Sequence, residues 1–333
     1  MKIAIIGAGS WGTALAKKAC EAHNDTYLYC RNAMRAAEIM ATRENKAYLP
    51  GVCLPETLRV SADMVEVIEG ASIILLVTPS AYVRETLLVI EPLIKKEMII
   101  VSCSKGLDRS SGMRISELMV DCLGHITSNL VILSGPNHAE EIGRDLPAAT
   151  VVASRNIAAS KTVQKALNSA AFRVYINEDM TGVELGGTTK NIIALAAGIA
   201  DGMQLGDNLK ATLLTRGLHE MTKFGVYFGA RRETYAGLAG MGDLIATCMS
   251  PHSRNRKAGQ KLADGETMDY IMNHTNMVVE GFYAVPLVYE IAKRNGIEMP
   301  ITFALYDVLI HNKPVKDVIT DLMMRSPKDE MFI

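Results

Sequence analysis

Residues 2–21, KIAIIGAGSWGTALAKKACE, combine a short apolar run, a glycine-rich turn and a helical segment. The run Lys2–Ile6 is rich in β-branched residues and stops at a glycine, which is the pattern of a buried parallel strand. A GxGxxG motif follows directly, and a helix is predicted over Thr13–Glu21. Its three glycines are Gly7, Gly9 and Gly12. The first permits the turn, the second lets backbone approach a pyrophosphate, and the third allows close helix–strand packing. The stretch therefore predicts a dinucleotide-binding site that opens a doubly wound α/β sheet.

The first half of the chain continues with short apolar runs of the same kind. Strands are predicted over Thr26–Cys30, Ser72–Val77, Met98–Cys103, Leu130–Leu133, Pro147–Ala153 and Phe172–Ile176, and a helix over Ser160–Ala170. Ligands of doubly wound sheets lie beyond the carboxyl ends of the strands. Residues that directly follow strands, namely Thr78, Lys105 and Asn137, are therefore expected to face one crevice. Strand signals stop after Ile176, so we expect a dinucleotide-binding domain over residues 1–180.

The second half, residues 181–333, has helical periodicity almost throughout and is predicted to be a helical substrate-binding domain. Its first segment, Thr181–Gly202, is apolar on nearly all sides and therefore predicts a buried helix. Lys190 lies inside it, and lysine is almost never buried without a partner. The residues alone leave two interpretations: a structural ion pair with a carboxylate, or an active-site lysine that burial prepares to hand over a proton.

Other features of this half are further helices and two predicted loops. The helices are predicted over Leu209–Phe224, Lys257–Ala263, Thr267–His274, Gly281–Asn295 and Thr302–His311. One loop, Gly237–Asp243, is dense in glycine, and the other, Ser253–Lys257, has the basic sequence SRNRK. Two arginines with serine and asparagine suit a phosphomonoester. The alternative for the basic segment is a helix N-terminus in solvent.

Composition and charge narrow the function classes. The chain has 333 residues, of which 49% are hydrophobic and 21% charged, with a net charge of -1. This is the balance of a globular protein with room for two domains, and it gives no reason to expect nucleic acid as a partner. The six cysteines form no CxxC pair, which favours reduced thiols.

Targeting and metal signals are also missing from the sequence. No charged and then apolar leader precedes Lys2, and the charge-free apolar runs are too short to span a bilayer. We therefore expect a cytoplasmic protein without membrane insertion. No HExxH, GxSxG, Walker or metal-spaced histidine pattern is present, so no metal site is expected.

The end of the second strand bears on the choice of coenzyme. NAD-specific sites usually place Asp or Glu there to bind the ribose 2′-hydroxyl. This chain has Arg31-Asn32 instead, with Arg35 close behind. Because an arginine suits the 2′-phosphate, NADP is favoured over NAD, although a solvated surface arginine would give the same pattern.

Taken end to end, the sequence resembles the NAD(P)-dependent glycerol-3-phosphate dehydrogenases, most closely the bacterial biosynthetic type. The matching segments are GAGSWGTALA at Gly7–Ala16, SKGL at Ser104–Leu107, SGPNHAEE at Ser134–Glu141, GVELGGTTKNIIALAAGI at Gly182–Ile199, GLAGMGDL at Gly237–Leu244, SRNRK at Ser253–Lys257 and VVEG at Val278–Gly281. The resemblance implies reversible reduction of dihydroxyacetone phosphate to sn-glycerol 3-phosphate for glycerophospholipid biosynthesis. It also implies a homodimer, because members of the family often associate.

Residue roles follow from the same resemblance. It implies that Lys190 is the general acid and base of the reaction, and a buried lysine in this role is expected to be held in place by Asp243. The substrate-binding positions that it implies are Lys105, Gly135, Asn137, Lys190, Asn191, Asp243, Thr247, Ser253, Arg254 and Asn255. Besides the three glycines of the first motif, the implied coenzyme contacts are Ser10, Trp11, Arg31, Lys105, Ala139, Arg254, Val278 and Glu280. One departure is Asn137-His138, where bacterial members more often have Ser or Thr followed by Phe.

Two other functions would share some of these features. A related dehydrogenase of a β-hydroxyacid or of ketopantoate would also place a lysine on the long helix, but it would have to bind a carboxylate. The Ser253–Lys257 segment favours a phosphate instead. A non-catalytic NADP-binding sensor would have no need of a proton donor, and the joint presence of Lys105, Lys190 and Asp243 argues against it.

Overall fold

The computed structural model describes residues 1–275, 278–327 and 329–330. The chain divides into two compact units, Met1–Glu184 and Leu185–Ile333. The domain boundary expected from the sequence, between residues 180 and 181, falls at the start of the helix Met180–Gly202. That boundary stays a prediction.

The first unit is built on an eight-stranded sheet with the order β3-β2-β1-β4-β5-β6-β7-β8. Its strands are β1 (Lys2–Ile6), β2 (Asp25–Tyr29), β3 (Arg59–Ser61), β4 (Ile73–Leu76), β5 (Ile99–Ser102), β6 (Leu130–Ser134), β7 (Ala148–Ala153) and β8 (Phe172–Asn177). Neighbouring strands are parallel except for β6 and β7, which pair antiparallel. The order of the first six strands is that of doubly wound dinucleotide-binding sheets. The predicted α/β fold is confirmed.

The helices of the first unit follow the strands in alternation. They are α1 (Ser10–Glu21), α2 (Ala33–Thr42), α3 (Met64–Ile68), α4 (Val83–Ile90), α5 (Ile115–Leu123), α6 (Ala139–Gly143) and α7 (Ile157–Leu167). Strands such as β4 and β5 are buried along their whole length because helices cover the sheet. This explains why their sequences are continuous apolar runs rather than alternating ones.

All the regular secondary structure in the described residues of the second unit is helical. Helix α8 (Met180–Gly202) leads into it, and the others are α9 (Gly206–Tyr227), α10 (Arg232–Tyr235), α11 (Asp243–Met249), α12 (Arg254–Ala263), α13 (Met268–Asn273), α14 (Glu280–Arg294), α15 (Pro300–Ile310) and α16 (Val315–Met323). The apolar sequence of α8 predicted a buried helix, and residues 182–195 are all buried. That prediction is confirmed.

Several local predictions were wrong. Strand β3 was missed because it has only three residues, two of them polar, and its pairing with β2 defines it. The segment Gly237–Asp243 was predicted as a loop, but Leu238–Gly242 forms a π-helical turn that runs directly into α11. Its glycines weaken helix propensity, yet they permit close packing: a Cβ on Gly240 would lie 2.3 Å from the Tyr235 carbonyl oxygen.

The basic segment Ser253–Lys257 is also not a loop. Ser253 is the N-cap of α12, and its hydroxyl accepts a hydrogen bond from the Arg256 backbone N–H at 3.2 Å. The polar, charged sequence hid a helix start because serine is typical of both loops and N-caps.

Across the described residues, none of the helices has the length and apolar character needed to cross a membrane.

Candidate active site

The glycine turn between β1 and α1 has the geometry that its sequence predicted. Gly7 has φ +119°, a conformation that L side chains rarely adopt, and a Cβ there would lie 2.7 Å from the Val77 carbonyl oxygen. A Cβ on Gly12 would lie 1.9 Å from the Gly7 carbonyl oxygen. A Cβ on Gly9 would meet nothing within 4 Å, so this position faces open space. The turn therefore presents bare backbone at one point and packs tightly at the other two.

Helix α1 begins at this turn, and its N-cap residue has no side chain to cap it. Gly9 is its N-cap and contributes no side-chain hydrogen bond. The first N–H groups of a helix have no partner within the helix, and together with the helix dipole they attract anions. The turn also lies between β1 and β4, where the strand order reverses and doubly wound sheets bind their ligands. These residues fit the pyrophosphate of a dinucleotide.

The remaining predicted coenzyme contacts of the first unit surround this turn or follow later strands. Ser10 and Trp11 are the first two residues of α1, and the half-buried Trp11 ring packs edge-on against Phe172 at 6.3 Å between centroids. Arg31 follows β2 and is exposed. Arg35 lies over the Tyr48 ring, 5.0 Å from its centroid.

Lys105 lies after β5 and contacts the segment that follows β6. Its ammonium donates a hydrogen bond to the Gly135 carbonyl oxygen at 2.8 Å. Ser104 donates to the Thr78 carbonyl oxygen at 2.6 Å, which links the ends of β4 and β5. These bonds place Thr78, Lys105 and Gly135 together beyond the carboxyl ends of β4, β5 and β6, and Asn137, the third residue expected at this crevice, follows Gly135 by two positions.

Asn137 is held by the beginning of β7. Its amide donates to the Ala149 carbonyl oxygen at 3.2 Å, and its side-chain oxygen accepts from the Thr150 hydroxyl at 2.9 Å. Because β7 is antiparallel to β6, the start of β7 lies where β6 ends. Ala139 is buried as the first residue of α6. The asparagine that departs from the family pattern is thus fixed by two hydrogen bonds to the sheet.

The loop that carries Lys105 is stabilised by Asp108. Burial alone would raise the pKa of this carboxyl, but hydrogen bonds from Arg84, Ser111 and Ser110 hold the pKa at about 2. The Arg84 guanidinium donates to the carboxylate at 2.9 Å, and the Ser110 hydroxyl donates at 2.7 Å. The carboxylate therefore stays ionised and links the loop to Arg84 of α4.

In the second unit, Lys190 forms a buried ion pair with Asp243. Lys190 is 5% exposed and Asp243 is 1% exposed. The Lys190 ammonium contacts an Asp243 carboxylate oxygen directly and donates to the Thr247 hydroxyl at 2.6 Å. Thr247 in turn donates to Asp243 at 3.2 Å. Asp243 opens α11, and Thr247 lies one turn later on the same helix face. The expected contact between Lys190 and Asp243 is present.

A second buried network adjoins this pair along α8. The Asn255 amide donates to the Asn191 side-chain oxygen at 2.8 Å, and the Asn255 oxygen accepts from the Gly281 backbone N–H at 2.9 Å. Gly281 lies close to α8, because a Cβ there would be 2.8 Å from the Asn191 carbonyl oxygen. These bonds join α8, α12 and α14, so the two asparagines hold the helix that carries Lys190.

The basic segment separates into two roles. Arg254, the first residue of α12, is exposed. Arg256 instead donates through Nε to Asp201 at 2.5 Å, and Lys210 pairs with the same carboxylate at 2.7 Å. The segment thus offers one exposed arginine at a helix N-terminus, while its second arginine is used inside the fold. Val278 lies two residues before α14, and Glu280 opens that helix.

Sequence reasoning missed Glu184, a second buried charge in α8. Its carboxylate accepts hydrogen bonds from the Ser116 backbone N–H at 2.8 Å and from Arg114 at 3.3 Å. Burial raises the pKa of this carboxyl above its ordinary value. The argument that singled out Lys190, a charge within an apolar helix, applies equally to Glu184 and would have found it.

Two features define the class of this protein. The first is a doubly wound sheet with a bare glycine turn at its switch point, and the second is a set of helices that bury a lysine–carboxylate pair. Together they are typical of dinucleotide-dependent dehydrogenases with a helical second unit. Family models refine this class. Residues 2–160 match the N-terminus and residues 179–320 the C-terminus of NAD-dependent glycerol-3-phosphate dehydrogenase. The chain belongs to the NAD-dependent glycerol-3-phosphate dehydrogenase family.

Individual relatives are similar to this chain over nearly its whole length. The glycerol-3-phosphate dehydrogenase [NAD(P)+] of Desulfitobacterium hafniense (strain Y51) is 46% identical over 99% of this chain and 93% of its own length. That of Chlorobium phaeobacteroides (strain BS1) is 42% identical over 99% of both chains. The crystal structure of the Coxiella burnetii glycerol-3-phosphate dehydrogenase has a TM-score of 0.92 at 38% identity and covers 97% of this chain and 99% of its own.

Proposed function

We propose that this chain catalyses the reversible NAD(P)H-dependent reduction of dihydroxyacetone phosphate to sn-glycerol 3-phosphate, the backbone of glycerophospholipids. The observation that carries the proposal is the buried Lys190, paired with Asp243 and Thr247 on a helix of a chain that belongs to the glycerol-3-phosphate dehydrogenase family. A buried cation whose position is fixed by two side chains suits a group that must meet a developing negative charge.

Lys190 is the proton donor in this mechanism. The nicotinamide coenzyme, when bound, supplies the hydride that is added to the ketone carbon. As the carbonyl π bond breaks, negative charge grows on the oxygen, and the Lys190 ammonium stabilises this charge and then gives the oxygen a proton. In the direction of oxidation, the neutral amine takes the hydroxyl proton. Asp243 and Thr247 keep the nitrogen in place throughout, so little reorganisation accompanies the transfer.

Arg254 is proposed to bind the phosphate of the substrate. Its exposed guanidinium at the start of the ten-residue helix α12 adds a fixed charge to a helix N-terminus, and both attract an anion. Ser253 and Asn255 flank it, and Lys105, Gly135, Asn137 and Asn191 complete the proposed substrate contacts. Binding energy from the phosphate helps to position the ketone, because remote groups of a substrate restrict its orientation at the reacting centre.

The coenzyme is proposed to bind at the glycine turn, with its pyrophosphate on the N-terminus of α1. Ser10, Trp11, Lys105 and Ala139 are proposed contacts in the first unit, and Arg254, Val278 and Glu280 in the second. The exposed Arg31 supports a preference for NADP over NAD, because a free guanidinium suits the 2′-phosphate.

The proposed reaction has a direct test. Purified protein should lower the absorbance of NADPH or NADH when dihydroxyacetone phosphate is added, and should raise it when NAD(P)+ and sn-glycerol 3-phosphate are supplied. Dihydroxyacetone without phosphate tests the phosphate requirement, and ketopantoate tests the related dehydrogenase activity. Coenzyme binding with no turnover of dihydroxyacetone phosphate would contradict the proposal and favour a sensor; turnover of ketopantoate would favour the other dehydrogenase.

Two properties of the protein in its cell belong to the same proposal. We place it in the cytoplasm, supported by the six cysteines, which are all unpaired thiols in the structure. A homodimer stays a prediction from the family, and sedimentation of the purified chain tests it.

A further inference from the structure

Asn45 contacts the glycine turn from a distant part of the sequence. It lies in the connection after α2, is 0% exposed, and donates from its side-chain amide to the Ala8 carbonyl oxygen at 3.0 Å. The same nitrogen donates to the Thr13 hydroxyl at 2.8 Å. Thr13 passes the interaction on, because its hydroxyl donates to the Gly9 carbonyl oxygen at 2.8 Å. Asn45 therefore restrains the Ala8 carbonyl group directly and the Gly9 carbonyl group through Thr13, whose backbone N–H also donates to Gly9 at 3.0 Å.

The orientation of the Asn45 amide follows from its partners. A carbonyl oxygen only accepts hydrogen bonds, so the group that faces Ala8 must be the amide nitrogen. The Thr13 hydroxyl donates its proton to the Gly9 carbonyl oxygen, so it can only accept a hydrogen bond from the Asn45 amide nitrogen. Both amide protons are thus used, and neither of these contacts would form with the oxygen turned inward.

This arrangement determines where the turn presents its N–H groups. In a planar trans peptide the C=O of one residue and the N–H of the next point in opposite directions. Holding the Ala8 carbonyl toward Asn45 therefore aims the Gly9 N–H away from it. Holding the Gly9 carbonyl toward Thr13 likewise aims the Ser10 N–H away from Thr13. These are the backbone donors at the open side of the turn, where a Cβ on Gly9 would meet nothing within 4 Å.

The network leaves one buried acceptor without compensation. The Asn45 side-chain oxygen is buried and has no hydrogen-bond partner among the residues that the structure describes. A buried polar atom without a partner is unfavourable for folding, and the chain tolerates this cost at a position whose amide nitrogen donates to two groups of the turn. The asparagine instead provides donors in the direction of the turn.

We propose that Asn45 is a positioning residue for coenzyme binding, which acts by fixing the peptide planes that follow Ala8 and Gly9 so that the Gly9 and Ser10 N–H groups face the pyrophosphate. This inference rests on the proposed function, since it takes the nicotinamide dinucleotide as the ligand. Asn45 does not touch the reacting atoms. Its removal should weaken binding of the coenzyme and leave the chemical step and the binding of dihydroxyacetone phosphate unchanged.

The test compares Asn45→Leu and Thr13→Val with Thr13→Ser, which keeps the hydroxyl, as the matched control. Calorimetry on the full chain measures Kd for NADPH and for ADP-ribose, which contains the pyrophosphate and lacks the nicotinamide. Loss of the two donors should raise both Kd values about five- to tenfold, the range for lost hydrogen bonds. Thr13→Val should raise them less, and Thr13→Ser should stay within about twofold. Steady-state kinetics should show an unchanged kcat at saturating coenzyme and an unchanged KM for dihydroxyacetone phosphate.

A merely structural role predicts a different result. Urea unfolding of the same variants would then show lost stability while Kd for NADPH stays at the wild-type value, and that result overturns the inference. If Asn45→Leu does not fold, Thr13→Val decides: a Kd equal to that of Thr13→Ser overturns the inference. Failure of the wild-type chain to bind NADPH would overturn the proposed function as well, whereas normal wild-type binding with unaffected variants overturns only the role of Asn45.

Discussion

Removing Lys190 while keeping Asp243 should destabilise the protein as well as greatly lower turnover. In Lys190→Met the chain keeps a side chain of similar length, but the Asp243 carboxylate, 1% exposed, loses its cation. The Thr247 hydroxyl at 3.2 Å still donates to Asp243, but it is a neutral group and does not replace the ammonium charge. Breaking a buried ion pair by removing one partner costs about 3–5 kcal/mol. We expect a fall of this size in the free energy of unfolding, measured by urea denaturation at pH 7.5.

The double variant Lys190→Met/Asp243→Leu is the matched control. It removes both charges and fills the space with apolar atoms, which is often neutral for stability, so most of the lost free energy of unfolding should return. Turnover should not return, because the proton donor is still missing; kcat should stay about 10²-fold or more below that of the wild-type enzyme. A Lys190→Met protein as stable as the wild type would refute the ion-pair reasoning. Near-normal kcat in either variant would refute the catalytic role of Lys190.

Three further predictions concern the phosphate, the pH dependence of stability and the coenzyme. Arg254→Ala should raise KM for dihydroxyacetone phosphate and sn-glycerol 3-phosphate, whereas Arg256→Ala, which breaks the pair with Asp201, should mainly lower stability; equal loss with phosphate-free analogues would contradict the phosphate role. Burial raises the pKa of the Glu220 carboxyl in the folded protein to about 7, above that of the same carboxyl in the unfolded chain. Between these two pKa values the folded protein binds more protons than the unfolded chain, so the free energy of unfolding falls as pH rises to about 7 and is constant above. Wild-type protein should therefore lose stability between pH 5 and 7 relative to Glu220→Gln, by at most ~1.4 kcal/mol per pH unit, and parallel urea-unfolding curves across that range would contradict the raised pKa. Arg31→Ala should raise KM for NADPH about tenfold or more and leave KM for NADH nearly unchanged, and a parallel rise in both values would rule out a 2′-phosphate contact.

Much of the first unit could be predicted from the sequence because its signals are local. Buried parallel strands are continuous apolar runs, and the spacing of the glycines states where the first turn must bend and pack. Strand β3 was not predicted because three residues are too few to show a periodic pattern. The sequence of β7 predicted a strand but did not indicate whether it runs parallel or antiparallel to β6. The antiparallel pairing of β7 with β6 nevertheless decides which groups hold Asn137.

In the second unit the sequence predicted helices well and the ends of helices poorly. The glycines of 237–243 indicated a loop, although close packing against Tyr235 stabilises a helical turn there. Serine at position 253 was compatible with a loop or a cap. Helix propensity is a weak signal where tertiary packing supplies the stability, and these segments are examples.

The sequence by itself determined that a lysine would be buried in the long helix, because the residues around it leave no polar face. Asp243 was expected as its partner, but only the tertiary structure decided that Thr247, more than fifty residues away along the chain, also binds the ammonium. The same division applies to Arg254 and Arg256, which look equivalent in the sequence. Residues that are two positions apart on a helix differ by about 200° in direction. Arg254 is therefore exposed, while Arg256 reaches Asp201 within the fold. Hydrophobic periodicity depends on residues that are close in the sequence, whereas the partner of a buried charge depends on which distant helices pack against it.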